Sequence, residues 1–343
     1  MMDKKEIKDL PLQELEKAMA EMSEPPYRAR QIFFWLYRKG VRDFNGMKNL
    51  PKPLRDKLDQ HYSIGRADPC EHQHSADGTE KFLFKLRDAQ FVETVLIPAA
   101  KRKTVCISTQ VGCKLACSFC ASGKNGFMRN LTPSEILNQV LYLQHTLKQN
   151  VTNYVFMGMG EPLDNYENVA KAITIMNDAR GMNVGARRIT VSTSGIVPGI
   201  EKLKELKLQV NLAVSLHAVS DKLRNVLMPI NKRYPLEELI KACEEFKRKT
   251  GRMMTLEYVL LKGVNDSLED AEGLAAIAKR LKVKVNLIPY SEVPDLNFRR
   301  PERKEMGAFM KRLAQKGTKA TLRESKGRDI QAACGQLAGK NLS

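Results

Sequence analysis

The chain has 343 residues, of which 43% are hydrophobic; this is enough for one large domain with a smaller one beside it, and it excludes a disordered or fibrous protein. No stretch approaches the roughly 18 apolar residues of a membrane span, and the N-terminal residues hold no apolar leader segment, so we expect a cytoplasmic protein that uses no membrane. The formal net charge of +18 favours nucleic acid as a partner over the alternative of a basic soluble enzyme.

Residues 1–97 are predicted to form an N-terminal accessory domain of short helices that ends in a small β element. The segment YRARQIFFWLYRKG alternates cationic with aromatic and aliphatic side chains, as in helices with one apolar and one basic face. The segment DGTEKFLFKLRDAQFVETVLIPAA alternates around a turn and predicts the β element. Four aromatic residues are expected in the core rather than on a base-stacking platform: Phe33, Phe34, Trp35 and Tyr37.

In residues 98–300 strands and helices alternate, which is typical of a parallel sheet covered by crossover helices. The predicted strands are TVCIS, NYVFM, RITVS, VNLAVSL, MTLEYVLL and VKVNLIP. Six strands are too few for a closed eight-stranded barrel, so the expected fold class is α/β, with a partial (β/α)6 barrel. Residues 301–343 are predicted to form a C-terminal extension with a helix around Lys304 to Gln315 and a strand near KATLRES.

Polar, glycine-rich loops follow these strands, at the end of a barrel where sites assemble. The first loop, CISTQVGCKLACSFCASG, holds Cys106 and the CxxxCxxC spacing of Cys113, Cys117 and Cys120. A structural zinc would need a fourth Cys or His, and the loop contains no His. A four-iron cluster on three thiolates instead leaves one iron open for a ligand. Since disulfides are rare in the cytosol, metal binding or catalysis is the expected role of this loop.

This spacing after the first strand of a partial barrel resembles the radical S-adenosylmethionine (SAM) enzymes. Longer segments are similar to the RNA methyltransferases of the RlmN/Cfr family, most of all to RlmN, along almost the whole chain: CISTQVGCKLACSFCASGKNGFMRNLTPSEI, GMGEPLDN, ITVSTSG, SLHAVSDKLRNVLMPINKRYPLEEL, EYVLLKGVNDS and DIQAACGQLAG. The resemblance implies a 4Fe–4S cluster on Cys113, Cys117 and Cys120. It also implies two molecules of S-adenosylmethionine per turnover and an RNA-binding N-terminal domain.

The resemblance implies a radical route to C2 of adenine, an aromatic carbon that is no nucleophile. Cys334 in AACGQLAG would carry the methyl group as S-methylcysteine, which then forms a covalent adduct with the RNA. Cys106 would resolve that adduct and form a transient disulfide with Cys334. Two candidates for the proton acceptor stay open, Glu93 in VETVLIP and a cysteine. Cys70 and Cys243 have no such motif context, so we expect them to be structural.

The resemblance also implies a set of cofactor contacts at strand ends: Gly160, Glu161, Ser192, Ser215, Leu216, His217 and Ser291. The family commonly has Asn at the last of these positions, where Ser291 offers a single hydroxyl. Taken alone, His217 at a strand end is more often a structural group than a catalyst. His72 and His74 have no matching context.

The implied substrates are one adenosine of the peptidyl-transferase centre in 23S rRNA and the adenosine 3′ of the anticodon in certain tRNAs. Their bases must leave the stack to reach the cavity. An external electron donor such as flavodoxin is also implied, and we expect a monomer. Two alternatives stay open. One is C8 methylation of the same rRNA adenosine, as in Cfr enzymes, which tend to read GLKKNLT where this chain has GFMRNLT. The other is a non-catalytic RNA-binding protein with a structural zinc.

Overall fold

The N-terminal region is helical, and the computed structural model describes residues 4–124, 126–294 and 296–339 of the chain. Its elements are β1 (Lys5–Glu6), α1 (Leu12–Glu21), α2 (Pro26–Phe34), α3 (Lys52–His61) and β2 (Tyr62–Ser63). A π-helical turn, Trp35–Lys39, continues α2. β1 and β2 pair in parallel, which ties the two ends of this region together.

The aromatic residues of this region divide between core and surface. Phe33 and Tyr37 are buried, as predicted, with their rings 4.6 Å apart in an edge-on contact. Trp35 is partly buried against the core. The prediction was wrong for Phe34, whose exposed fraction is 42%. Helical periodicity explains the difference, because residues four apart share a face and the intervening Phe34 points away from it.

Three antiparallel strands follow: β3 (Pro69–His74), β4 (Glu80–Lys85) and β5 (Phe91–Ala99). A tight turn leads from β5 into β6 (Arg102–Cys106), and Ala99 pairs with Arg102. The expected small β element is therefore not separate, because it continues the main sheet. Two-residue turns favour such antiparallel pairing of successive strands.

The remaining strands of the main sheet are β9 (Asn153–Phe156), β10 (Ile189–Thr193), β11 (Asn211–Ser215), β12 (Met254–Leu260), β13 (Lys284–Pro289) and β14 (Ala320–Leu322). The ten strands lie in the order β3-β4-β5-β6-β9-β10-β11-β12-β13-β14, and every pair from β6 onwards is parallel. The six predicted strands and the seventh near KATLRES are all present. A separate hairpin is formed by β7 (Gln110–Gly112) and β8 (Phe127–Asn130).

Helices connect the parallel strands: α4 (Ala121–Lys124), α5 (Pro133–Leu141), α6 (Tyr166–Asn177), α7 (Val197–Glu205), α8 (Asp221–Leu227), α9 (Leu236–Thr250), α10 (Leu268–Leu281) and α11 (Arg303–Gln315). Capping boxes start two of them, with Thr132 and Glu135 at α5 and Ser267 and Asp270 at α10. Among the described residues, no helix combines the length and apolar character that a membrane span requires.

The N-terminal helical region is attached to the sheet through α5. Asp9 accepts a hydrogen bond from the backbone N–H of Ser134 at the first turn of α5, at 2.8 Å. The buried ammonium of Lys8 donates to the side-chain oxygen of Asn138 on the same helix at 2.5 Å. These polar contacts fix the region beside the loop that follows β6.

Candidate active site

The carboxyl ends of the parallel strands surround a cavity of about 150 Å³. Of the predicted site residues, the following line it: Cys117, Cys120, Gly160, Glu161, Ser192, Ser215, His217 and Cys334. Five predicted residues do not belong to this lining: Cys106, Cys113, Glu93, Leu216 and Ser291. Leu216 and Ser291 are buried.

The loop after β6 brings three thiols together. Its turns are held by backbone hydrogen bonds from Cys120 to Cys117 at 3.2 Å and from Cys113 to Gly126 at 2.9 Å. Burial raises the pKa of Cys113 to about 12, and burial followed by the charges of Cys120 and Cys113 raises that of Cys117 well above its usual value. Metal ligation requires thiolates, so a cationic group must offset this desolvation.

The spacing of these three thiols limits which metal group they can bind. Among the described residues, the side chains compact enough to hold a single ion are His72, His74 and Glu80, whose ligand atoms lie within 4.8 Å of one another, and not the three cysteines. A tetrahedral zinc would bring all its sulfurs to about 2.3 Å from one ion. Three thiols that interact electrostatically but are more widely spread fit a cluster, in which each thiolate binds a different iron.

The turn after β9 is built on glycine. Gly160 has a φ of +93°, and a Cβ there would lie 2.5 Å from the Cβ of Gln110. Gln110 in turn accepts a hydrogen bond from the backbone N–H of Glu161 at 2.8 Å and donates to Asp164 at 2.7 Å. The backbone of this turn therefore packs directly against Gln110 in the loop after β6. Only glycine, which has no side chain, leaves room for this contact.

Glu161 is buried at the end of this turn. Its carboxylate accepts hydrogen bonds from the backbone N–H groups of Ser194 at 2.7 Å and of Leu163 at 3.1 Å. Burial raises its pKa to about 7, although these hydrogen bonds act in the opposite direction. A carboxylate so placed on the cavity wall can accept a proton or bind an ammonium group.

His217 stabilises the wall of the cavity. It has a φ of +57°, and its Nδ1 accepts a hydrogen bond from the backbone N–H of Val259 at 3.0 Å. Burial, followed by the charge of Arg224, lowers its pKa to about 3, so the imidazole is neutral. Its carbonyl also accepts a hydrogen bond from Asn265 at 2.8 Å. His217 therefore has the structural role expected of a lone histidine at a strand end, and it also lines the cavity.

Cys334 and Cys106 differ in their surroundings. Cys334 is exposed on the cavity wall, whereas Cys106 is buried at the end of β6. Burial, followed by the charge of Cys334, raises the pKa of Cys106 to about 12. All seven cysteines are free, so the expected disulfide between Cys106 and Cys334 is not supported.

Glu93 anchors the C-terminal segment. One carboxylate oxygen lies 3.0 Å from the ammonium of Lys81. The other accepts hydrogen bonds from the backbone N–H groups of Ala338 at 2.8 Å and Gly339 at 3.0 Å. Further bonds hold the same segment, including one at 2.8 Å from the N–H of Ala121 to the carbonyl of Gly335. Glu93 thus helps to place Cys334 above the cysteine loop.

Two charged residues near the cavity were not among the site residues predicted from the sequence. Glu257 lies on the cavity wall within β12, and Arg323 follows β14, with Nη1 3.8 Å from the Glu257 carboxylate. A signal for Glu257 existed, since it is the one charged residue in the apolar strand MTLEYVLL. No local pattern distinguishes Arg323 from the other basic residues of the chain.

Comparisons with known proteins agree with this geometry. A model of the radical SAM superfamily matches residues 107–275, and a model of the ribosomal RNA large subunit methyltransferase N-terminal domain matches residues 5–64. The dual-specificity RNA methyltransferase RlmN of a Nitratiruptor species is 46% identical over 98% of both chains. The chain belongs to the RlmN family. The family predicted from the motifs is therefore confirmed.

Other members of the RlmN family are similarly close. The dual-specificity RNA methyltransferase RlmN of Syntrophus aciditrophicus is 45% identical, over 99% of this chain and 98% of that one. A crystal structure of a radical SAM methyltransferase from Sphaerobacter thermophilus has 47% identity and a TM-score of 0.93, over 98% of this chain and all of that one. Membership in the RlmN family makes this chain a radical SAM RNA methyltransferase, and the superfamily implies a 4Fe–4S cluster and S-adenosylmethionine. A non-catalytic zinc protein is thereby excluded.

Gly160→Ala tests the close packing of the turn after β9. The added methyl group meets Gln110, and alanine disfavours a φ of +93°, so we expect Tm to fall by roughly 4 °C or more. Gly185→Ala is the matched control, because no described atom lies within 4 Å of its Cβ position. Thermal unfolding followed by circular dichroism measures both. Equal Tm values for the two variants would contradict the role of Gly160.

Proposed function

We propose that this enzyme methylates C2 of an adenosine of the 23S rRNA peptidyl-transferase centre and of the adenosine 3′ of the anticodon in certain tRNAs, in the cytoplasm. The observation that carries the proposal is the exposed thiol of Cys334 on the wall of a cavity shared with Cys117 and Cys120. A second, buried thiol, Cys106, interacts electrostatically with it. An exposed thiol on the cavity wall and a buried thiol that interacts with it electrostatically suit a covalent intermediate and its resolution.

The residues present fit the groups that the superfamily implies. Cys113, Cys117 and Cys120 would hold the cluster. Of the seven strand-end residues proposed to hold the cofactor, the five that line the cavity are Gly160, Glu161, Ser192, Ser215 and His217, while Leu216 and Ser291 lie outside its lining. When bound, the two groups supply the methyl group and the one-electron chemistry that an unreactive aromatic carbon requires. The carboxylate of Glu161 accepts hydrogen bonds from the backbone N–H groups of Ser194 and Leu163. These bonds hold it on the cavity wall, where it can bind an ammonium group. The electron comes from an external donor such as flavodoxin.

We propose that the fold is a partial (β/α)6 barrel between an N-terminal accessory region over residues 1–97 and a C-terminal extension over residues 301–343, acting as a monomer. The helical part of the N-terminal region binds RNA, and its β element continues the main sheet. In the N-terminal region, Lys39 lies over the exposed ring of Phe34 at 5.6 Å, and Arg28 lies over that of Tyr27 at 4.8 Å. Exposed aromatic rings beside cations are typical of surfaces that bind single-stranded RNA. These pairs support the placement of RNA binding in this region.

The two thiols take different roles in the proposed reaction. Cys334, exposed in the cavity, accepts the methyl group and carries it to the base. Cys106 resolves the protein–RNA adduct. Glu93 stays a candidate proton acceptor, but it must first release Lys81 and the backbone N–H groups that it holds.

The product identifies the reaction. Incubation of the reconstituted enzyme with 23S rRNA fragments and tRNA, followed by nuclease digestion and mass spectrometry, should yield 2-methyladenosine. The motif GFMRNLT, which differs from GLKKNLT of Cfr enzymes, favours this isomer. Formation of 8-methyladenosine without the 2-methyl isomer would overturn the proposal.

Replacement of the cluster ligands should remove iron without unfolding the protein. We expect Cys113→Ser, Cys117→Ser and Cys120→Ser each to lose the visible absorption of a 4Fe–4S cluster after anaerobic reconstitution, because each removes one of three thiolates. Cys70→Ser and Cys243→Ser are the controls, and both should keep the cluster. Iron and sulfide analysis with EPR spectra checks this. A colourless wild-type protein with stoichiometric zinc would contradict it.

Replacement of the two thiols should stop the reaction at different stages. Cys106→Ala is expected to accumulate protein covalently linked to RNA, because the adduct forms but is not resolved. Cys334→Ala is expected to form no adduct, because the methyl carrier is missing. Denaturing gels with radiolabelled RNA distinguish the two results. Normal turnover by the Cys106 variant would exclude its assigned role.

A further inference from the structure

The turn between β3 and β4 binds the C-terminal segment. Asp329 accepts a hydrogen bond from the hydroxyl of Ser75 at 2.6 Å. In the opposite direction, Asp77 accepts one from the backbone N–H of Gly327 at 2.9 Å. The same segment leads on to Cys334 on the cavity wall. The shape of this turn therefore contributes to the placement of the C-terminal segment.

Two histidines and a glutamate lie at the base of this hairpin. His74 pairs with Glu80 across the two strands, directly beside the turn, and His72 pairs with Phe82. Because side chains alternate along a strand, His72 and His74 share one face of the sheet, and Glu80 lies on the same face opposite them. β3 is the outermost strand at its end of the ten-stranded sheet, and the side chain of His74 is 66% exposed. A metal ion in solution can therefore reach this face.

The three side chains converge to within the reach of one ion. Nε2 of His72 lies 2.8 Å from Oε2 of Glu80, and Nδ1 of His74 lies 3.9 Å from the same oxygen. All three ligand atoms lie within 4.8 Å of one another. Two ligand atoms that are each about 2 Å from one tetrahedral zinc ion lie roughly 3.3 Å apart. The two measured distances fall on either side of that value, so small side-chain rotations bring the atoms to one ion.

An ordinary histidine–glutamate hydrogen bond accounts for only part of this cluster. His72 and Glu80 form such a bond, but at 3.9 Å Nδ1 of His74 is too far from the carboxylate for one. The ring of His72 is also held in place, since it stacks on the buried ring of Phe82 with their centroids 4.3 Å apart. A ligand that is already oriented loses less side-chain entropy when it binds a metal.

We propose that His72, His74 and Glu80 bind one zinc ion, with water at the fourth position, and that the ion clamps the β3–β4 hairpin whose turn binds the C-terminal segment. Two imidazoles and one carboxylate form a ligand set that zinc uses in proteins. The site is separate from the cysteine loop and takes no part in the proposed methyl transfer. Its failure would therefore leave the proposed function unaffected.

Zinc content tests the site. The anaerobically reconstituted holoenzyme, whose cysteine loop is occupied by the cluster, is dialysed against zinc chloride, and zinc per chain is measured by mass spectrometry of the metal. We expect the wild type to bind one zinc ion more than His74→Ala or Glu80→Gln, because each variant lacks one ligand. His61→Ala and Cys70→Ser, which replace an exposed histidine and an exposed cysteine, should keep the wild-type content. Equal zinc content in the wild type and the two ligand variants would overturn the inference.

X-ray absorption at the zinc edge identifies the ligands of the bound ion. In the zinc-loaded wild type we expect only nitrogen and oxygen ligands, at about 2.0–2.2 Å. A sulfur ligand at about 2.3 Å would place the ion on a cysteine instead and would contradict the proposed ligand set.

Hydrogen exchange tests the clamp. When free zinc is about ten times its Kd, amide exchange in residues 75–79 and at Gly327 should slow about tenfold, because the ion binds only the closed hairpin. In His74→Ala the same zinc concentration should change nothing. Unchanged exchange in the zinc-loaded wild type would reject the clamp. Equal slowing in His74→Ala would show that zinc acts at another place, which would also overturn the inference.

Discussion

Parallel pairing from β6 to β14 is the constraint on which the site depends. It places the carboxyl ends of all these strands at one edge, so loops far apart in the chain meet around one cavity. The bond from the Ser194 N–H to Glu161 joins the loops after β10 and β9, and the bond from the Val259 N–H to His217 joins β12 to the loop after β11. Each loop is thus held by its neighbour.

The C-terminal segment adds Cys334 to the wall of the cavity that the strand ends form. Glu93 on β5 binds the N–H groups of Ala338 and Gly339, and Ala121 of the cysteine loop binds the carbonyl of Gly335. The first contact spans 245 positions of the chain. These contacts join the C-terminal segment both to the antiparallel strands and to the cysteine loop, so they fix Cys334 beside that loop.

Burial determines how the sulfur atoms of this site differ. The thiols of Cys106 and Cys113 are desolvated, which raises the pKa of each to about 12, whereas Cys334 is exposed in the cavity. Desolvation of a thiol disfavours its charged form unless a cation is close. For the cysteine loop, the 4Fe–4S cluster that the superfamily implies would supply that positive charge. These differences in burial suit the different roles proposed for the thiols, as cluster ligands, as methyl carrier and as resolving thiol.

Local patterns in the sequence by themselves determined the strands and the family, because hydrophobic periodicity and motif spacing are encoded within short windows, while the three cluster ligands stay a prediction from the cysteine spacing. The sheet also confirmed the strand near KATLRES. Only the tertiary structure decided that Phe34 faces solvent, that Glu93 anchors the tail, and that Arg323 meets Glu257. These outcomes depend on which face of a helix is covered and which distant segments pack together. No short window of sequence contains that information.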